Sequence, residues 1–97
     1  MDPAQWLARY DERLTEVARN AKAASARLRQ VDGSARSPRG EVAVKVNAGG
    51  ELEDLQLTPA ARALEADALA RLILDTTRQA RQSASAQIAG ITAEYFA

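Results

Sequence analysis

The middle of the chain alternates apolar and polar residues. Val42, Val44 and Val46 are separated by charged or small residues, which is the two-residue period of a strand with one buried face and one solvated face. The run Asn47-Ala48-Gly49-Gly50 follows and is rich in residues that accept a positive φ. This pattern predicts a hairpin whose strands lie at about residues 41–47 and 51–57.

The second strand of this hairpin is less regular than the first. Leu52 and Leu55 are three residues apart and therefore cannot share one face of an uninterrupted strand. We expect a bulge or a late start in this strand. Leu55 and Leu57 are two residues apart, so they are the safer candidates for the core.

The segment before the hairpin has apolar residues at alternating spacings of three and four. This is an unbroken heptad row. It predicts one long helix at about residues 3–31, with Asp2 as its cap and Pro3 in its first turn. The row consists of Leu7, Tyr10, Leu14, Val17, Ala21, Ala24, Leu28 and Val31.

The segment after the hairpin also has apolar residues at helical spacing. It predicts a second long helix at about residues 67–95, preceded by a short helical turn at about 59–64. The row consists of Leu69, Ile73, Thr76, Ala80, Ala84, Ile88, Ile91 and Tyr95.

Residues 31–37 fit two structures. Their small and turn-forming residues are typical of a linker. However, Val31, Gly33, Ala35 and Ser37 alternate with polar residues, and an edge strand tolerates glycine better than a central one does. Composition alone leaves both interpretations open.

Chain dimensions argue for self-association. A helix over residues 3–31 would be roughly 43 Å long, whereas a seven-residue strand spans only about 24 Å. The apolar row continues past the sheet, so its overhanging part needs a second helix to cover it. The residues expected in the core or in a dimer interface are Leu14, Val17, Ala21, Ala24, Leu28, Val42, Val44, Val46, Leu55, Leu57, Leu69, Ile73 and Ala80.

Composition excludes several functional classes. The 97 residues include neither cysteine nor histidine, which excludes disulfides, thiolate metal sites and Cys/His nucleophilic catalysis. Carboxylates such as Glu53 and Asp54 have no accompanying nucleophile and base. We therefore expect one domain that is not an enzyme and uses no cofactor or metal. An apolar run of about 20 residues is also missing, so we expect no membrane association and a cytoplasmic location.

The chain resembles the YbaB/EbfC family of bacterial nucleoid-associated proteins. The most specific part is GEVAVKVNAGGELEDLQLTP at residues 40–59, where the family has Gly-x-Val-x-Val-x-Val-[Asn/Asp]-Gly and then a strand ending in Ile/Leu-[Asp/Thr]-Pro. The long flanking helices and the block from Asp67-x-Leu69 to Leu72-Ile73 also agree. The resemblance covers almost the whole chain.

This resemblance implies an α+β subunit of order α-β-β-β-α and favours a strand over a linker at residues 31–37. It also implies an intertwined homodimer whose helices project as tweezer-like arms around double-stranded DNA. Members of the family are nucleoid proteins that bind DNA with little or modest sequence preference.

Charge supports this role only through its distribution. Acidic and basic side chains are equal in number, 13 each, so the usual excess of basic residues is missing. The acids of the first helix lie in its first half, which leaves a basic zone from its second half to residue 39. The candidate contacts for phosphates are Arg19, Lys22, Arg27, Arg29, Arg36, Arg39, Arg78 and Arg81.

A protein-interaction role is the main alternative. Alanine-rich heptad helices of balanced charge are good docking surfaces, and in this alternative the chain is a homodimeric or heterodimeric adaptor, for example of a secretion system. A purely helical hairpin is a poorer alternative because the middle is strand-like. The aromatic residues near the chain ends are expected to pack together at the far end of a helical arm, and they are Trp6, Tyr10, Tyr95 and Phe96.

Overall fold

The computed structural model describes residues 2–96 and has the element order predicted above. Helix α1 is followed by three strands, a short 3-10 helix and helix α2, which confirms the α-β-β-β-α order and the α+β class. The elements are α1 (Pro3–Arg29), β1 (Asp32–Arg36), β2 (Val42–Asn47), β3 (Leu52–Leu57), the 3-10 helix (Pro59–Ala63) and α2 (Ala66–Phe96).

Neighbouring residues determine where α1 begins and ends. At the start, the Asp2 carboxylate accepts a hydrogen bond from the Ala4 amide at 3.3 Å, and Pro3 occupies the first turn, where a missing N–H costs nothing. The helix ends at Arg29, two residues before the predicted end. Val31, the last residue of the apolar row, has left the helix and is buried where β1 begins.

The sheet is antiparallel, with the strand order β1-β2-β3. Residues 32–36 pair with β2, which resolves the choice between a linker and an edge strand. Between β2 and β3 the register shifts after the pair Val46 and Leu52, since Lys45 pairs with Asp54. This irregularity agrees with the expectation of a bulge or a late start in the second strand, and it brings Leu52, Leu55 and Leu57 opposite the three valines of β2 and so onto their face.

The core is thin and built largely from alanine. Helix α2 crosses β1 and β2 on the valine face, and its small residues allow a very close approach. A Cβ on Gly33 would lie 2.0 Å from the Ala80 carbonyl oxygen and 2.8 Å from the Ala84 amide nitrogen. The buried apolar residues of this cluster are Ala24, Val31, Val42, Val44, Val46, Ala80, Ala84 and Ile91.

The residues predicted for the core or the dimer interface divide into three groups. Ala24, Val42, Val44, Val46 and Ala80 are buried. A second group packs at the edge of the core and is partly buried: Leu28, Leu69 and Ile73. A third group is exposed and lies outside the core of the single chain: Leu14, Val17, Ala21, Leu55 and Leu57.

The expectation that Leu55 and Leu57 belong to the core is wrong for the single chain. Helix α2 lies over β1 and β2 and makes little contact with β3, so every residue of β3 is exposed. The assignment of Leu55, Leu57 and the exposed α1 residues to a dimer interface stays a prediction.

The molecule is elongated because the two helices overlap only in part. The last turns of α1 lie beside the end of α2, where Arg27 meets Glu94, and the rest of α1 extends alone. We call residues 3–22 the arm; all of them are exposed. The radius of gyration is 21.1 Å and the long dimension is 76 Å, compared with a radius of about 12 to 13 Å for a compact chain of this length.

Candidate nucleic-acid interface

The basic residues of the arm are exposed and form the first part of the predicted zone. Arg19 and Lys22 are exposed on α1, and neither forms an ion pair with another residue of the described range. The arm also carries Arg9 and Arg13, which are likewise exposed. Such cations are available to phosphates because no acid of the described chain neutralises them directly.

The two arginines at the end of α1 are engaged within the chain. Arg27 donates to the Glu94 carboxylate, and its guanidinium carbon lies 5.7 Å from the ring centre of Tyr95. The Tyr95 side chain and, after it, the Glu94 carboxylate raise the pKa of Arg27 above its ordinary value. Arg29 makes long hydrogen bonds to Ser25, at 3.4 Å to its carbonyl and at 3.4 Å to its hydroxyl.

The basic zone continues onto the sheet. Arg36 is exposed at the end of β1, on the face opposite to α2, because its neighbour Ala35 is on the packed side. Arg39 is exposed in the turn between β1 and β2. From Arg19 to Arg39 the zone therefore follows the long axis, with about 15 Å along the helix to Arg29 and roughly 17 Å along the strand.

The arginines of α2 are less free than the sequence suggested. Arg78 forms an ion pair with Asp75 at 3.3 Å. Arg81 donates from Nε to the Gly50 carbonyl oxygen at 2.9 Å, and Gly50 has a φ of 81° in the β2–β3 turn. Arg81 thus ties this turn to the helix, which is a structural role that no local sequence pattern reveals.

A groove at the end of the molecule opposite to the arm contains a basic residue that sequence reasoning missed. It has a volume of about 680 Å³ and is lined by Arg39 and Arg71 together with Leu64 and Leu72. Arg71 comes near Arg39 only because the β1–β2 turn packs against the start of α2. A sequence pattern gives no sign of such a tertiary contact.

The same groove also contains a buried acid. Glu41 is 7% exposed, and its Oε2 accepts a hydrogen bond from the Ser37 hydroxyl at 3.3 Å. Its Oε1 is buried and has no hydrogen-bond partner within residues 2–96. A buried carboxylate with an unpaired oxygen destabilises the fold, and it offers nothing to a phosphate.

The aromatic residues do not form one cluster. Trp6 and Tyr10 stack on each other near the start of the arm, with ring centres 5.5 Å apart and planes 8° apart. Tyr95 lies over Arg27 instead, and Arg27 is 17 residues, or about 25 Å, from Tyr10 along the helix. The expectation of a single aromatic cluster is wrong, because α2 ends beside the last turns of α1 and not beside its first.

Comparison with known proteins identifies the relationship. The model of the YbaB/EbfC DNA-binding family matches residues 7–96. The chain belongs to this family. Membership supports a nucleoid-associated DNA-binding role, with DNA as a partner, and it favours the expectation that the chain is not an enzyme.

A solved structure supports the fold. The crystal structure of the uncharacterized protein HP0035 from Helicobacter pylori is similar with a TM-score of 0.67, covering 100% of this chain and 99% of that chain. The two sequences are 16% identical, so the similarity concerns the fold alone. A search of curated proteins finds no match to the chain. Over the described residues, neither helix has an apolar stretch long enough to cross a bilayer.

Proposed function

We propose that two copies of this chain form a homodimer that binds duplex DNA mainly through its phosphates, with low sequence specificity. The observation that carries this proposal is the line of exposed cations along one elongated subunit. Arg19 and Lys22 on the arm and Arg36 and Arg39 on the sheet are exposed, and none of them pairs with an acid within the described residues. The role that follows is a contribution to nucleoid organisation.

The uncovered apolar surface supports the homodimer. On the arm, Leu7 is 54% exposed, Leu14 51% and Val17 63%, although all three belong to one heptad row. On the sheet, the leucines of β3 share the face of the buried valines but lack a helix above them. A monomer in water would expose both apolar surfaces. A second copy of the same chain is the simplest partner that can cover them.

The spacing of the cations favours contacts with the DNA backbone over base recognition. They are distributed over roughly 30 Å and do not converge on one groove-sized surface. Phosphates repeat regularly along a duplex whatever its sequence, so an extended row of cations fits them without reading bases. Because basic and acidic residues are equal in number, we expect moderate affinity that depends strongly on salt.

The test replaces Arg19, Lys22, Arg36 and Arg39 together with alanine. Binding to a random-sequence duplex is measured by fluorescence anisotropy at several salt concentrations, with light scattering to check the mass. With four cations removed from each of two copies, the slope of log affinity against log salt should fall by up to about 7, since each lost contact contributes about 0.9. Arg78→Ala is the control, because Arg78 is already paired with Asp75, and its slope should stay near the wild-type value.

Two results would contradict the proposal. An unchanged slope in the fourfold variant would show that these residues do not contact DNA. The absence of binding by a folded wild-type dimer at low salt would favour a protein-interaction adaptor instead. That alternative is supported by the exposed Trp6–Tyr10 pair, whose side chains are 55% and 48% exposed, at the end of an arm of nearly balanced charge.

A further inference from the structure

We propose that Arg27, Glu94 and Tyr95 form a latch that sets the direction of the arm. In this interpretation Arg27 is a positioning residue for DNA binding and not a phosphate contact. The inference rests on the proposed function, and it reassigns one residue of the basic zone by its observed contacts.

The contacts of Arg27 already satisfy its charge. Its Nη1 donates to Glu94 Oε2, and its guanidinium lies over the Tyr95 ring at 5.7 Å from the centroid. Both partners are in the last turn of α2, whereas Arg27 is in the last turn of α1. A guanidinium that bound a phosphate would have to leave at least one of these partners, so the contact with DNA would be offset by the loss of the contact with α2.

The position of the latch gives it control over the arm. Beside it, α1 meets the core through Ala24 and Leu28, which pack against a cluster that includes Ile91. Within one subunit, an alanine and a single leucine define a short contact about which the helix can pivot, together with the part of the second copy that covers its apolar row. The helix from Arg27 to Pro3 is roughly 36 Å long, so a pivot of about 10° would move its tip by roughly 6 Å. That displacement exceeds the 3.4 Å rise between successive phosphates of one strand.

The two roles of Arg27 predict opposite effects for one substitution. Glu94→Gln removes a negative charge and releases Arg27 from its ion pair. If Arg27 contacts phosphates, the variant should bind DNA more tightly and with a steeper salt slope. If Arg27 positions the arm, the variant should bind less tightly. The salt slope should not change, because the bound complex contains the same number of phosphate contacts.

Glu16→Gln is the matched control. Glu16 is an exposed acid of the arm and forms no ion pair with another residue from 2 to 96. The same chemical change there should leave binding equal to wild type or slightly tighter, through charge alone. We expect Glu94→Gln to weaken binding at least threefold at fixed salt, with wild-type mass and helix content. Equal or tighter binding by this variant would overturn the latch.

A second measurement does not depend on DNA. The chain has no cysteine, so Gln5→Cys on the arm and Gln56→Cys on β3 allow two spin labels in one chain, diluted into excess unlabelled protein. The distance distribution should broaden or shift by several ångströms when Glu94→Gln is added. An unchanged distribution would overturn the latch. If wild-type protein fails to bind DNA while the distribution does change, the proposed function fails and the latch stands.

Discussion

Gly33 is the position at which a single methyl group should test the packing of the whole fold. A Cβ built there lies 2.0 Å from the Ala80 carbonyl oxygen, 2.8 Å from the Ala84 amide nitrogen and 3.0 Å from the Ala80 carbonyl carbon. All three atoms belong to the backbone of α2, so no side-chain rotation relieves the overlap. In Gly33→Ala the helix must move away from the sheet by about 1 Å or more.

The loss of stability depends on the contacts between helix and sheet that such a displacement breaks. The helix and sheet meet through Ala80, Ala84 and the valines of β2, which are all nearly fully buried. Overpacking of a tight core costs about 1 to 3 kcal/mol, and a rigid backbone contact belongs at the upper end. Alanine also lowers the conformational entropy of the unfolded chain relative to glycine, which offsets roughly 0.5 kcal/mol of this loss. We expect the free energy of unfolding to fall by about 2 to 3 kcal/mol, compared with the roughly 5 to 15 kcal/mol that is typical of a whole domain.

Urea unfolding followed by far-UV circular dichroism measures this loss, at several protein concentrations because a dimer unfolds in a concentration-dependent way. Gly90→Ala is the matched control. Gly90 lies within α2, and a Cβ there meets no atom within 4 Å, so the same substitution should stabilise the helix by about 0.5 to 1 kcal/mol. If Gly33→Ala were as stable as wild type, the close approach of α2 to β1 would be refuted.

Two other substitutions test features that the structure revealed. Glu41→Gln should raise the free energy of unfolding by about 1 kcal/mol, because the amide removes a buried charge and keeps an acceptor for Ser37; a lower urea midpoint would show that the carboxylate is compensated. Leu55→Glu should weaken the dimer at least tenfold in sedimentation equilibrium, by placing a charge on the uncovered apolar face. Gln56→Glu, on the opposite face of the same strand, should leave the dimer intact, and equal effects of the two changes would contradict a dimer interface at β3.

The sequence by itself determined the elements and their order, because both depend on local periodicity. The alternation of Val42, Val44 and Val46 and the heptad row of α1 are set by side-chain spacing along the backbone. The irregular spacing of Leu52 and Leu55 also predicted an irregular start to the second strand of the hairpin, as a bulge or a late start. Residues 31–37 were the exception, since Gly33 weakens the local preference for a strand and is required only because α2 passes directly over it.

The tertiary structure alone decided which cations are free and which apolar residues are covered. Local patterns could not show that Arg27 meets Glu94, that Arg81 bonds to Gly50 or that Arg71 lies near Arg39, because these partners are 31 to 67 residues apart or belong to different elements. Nor could they show that α2 covers β1 and β2 but leaves β3 open. Periodicity shows only that a face is apolar. The path of a helix that is distant in sequence determines whether that face is buried within the chain or stays exposed and available to a second copy.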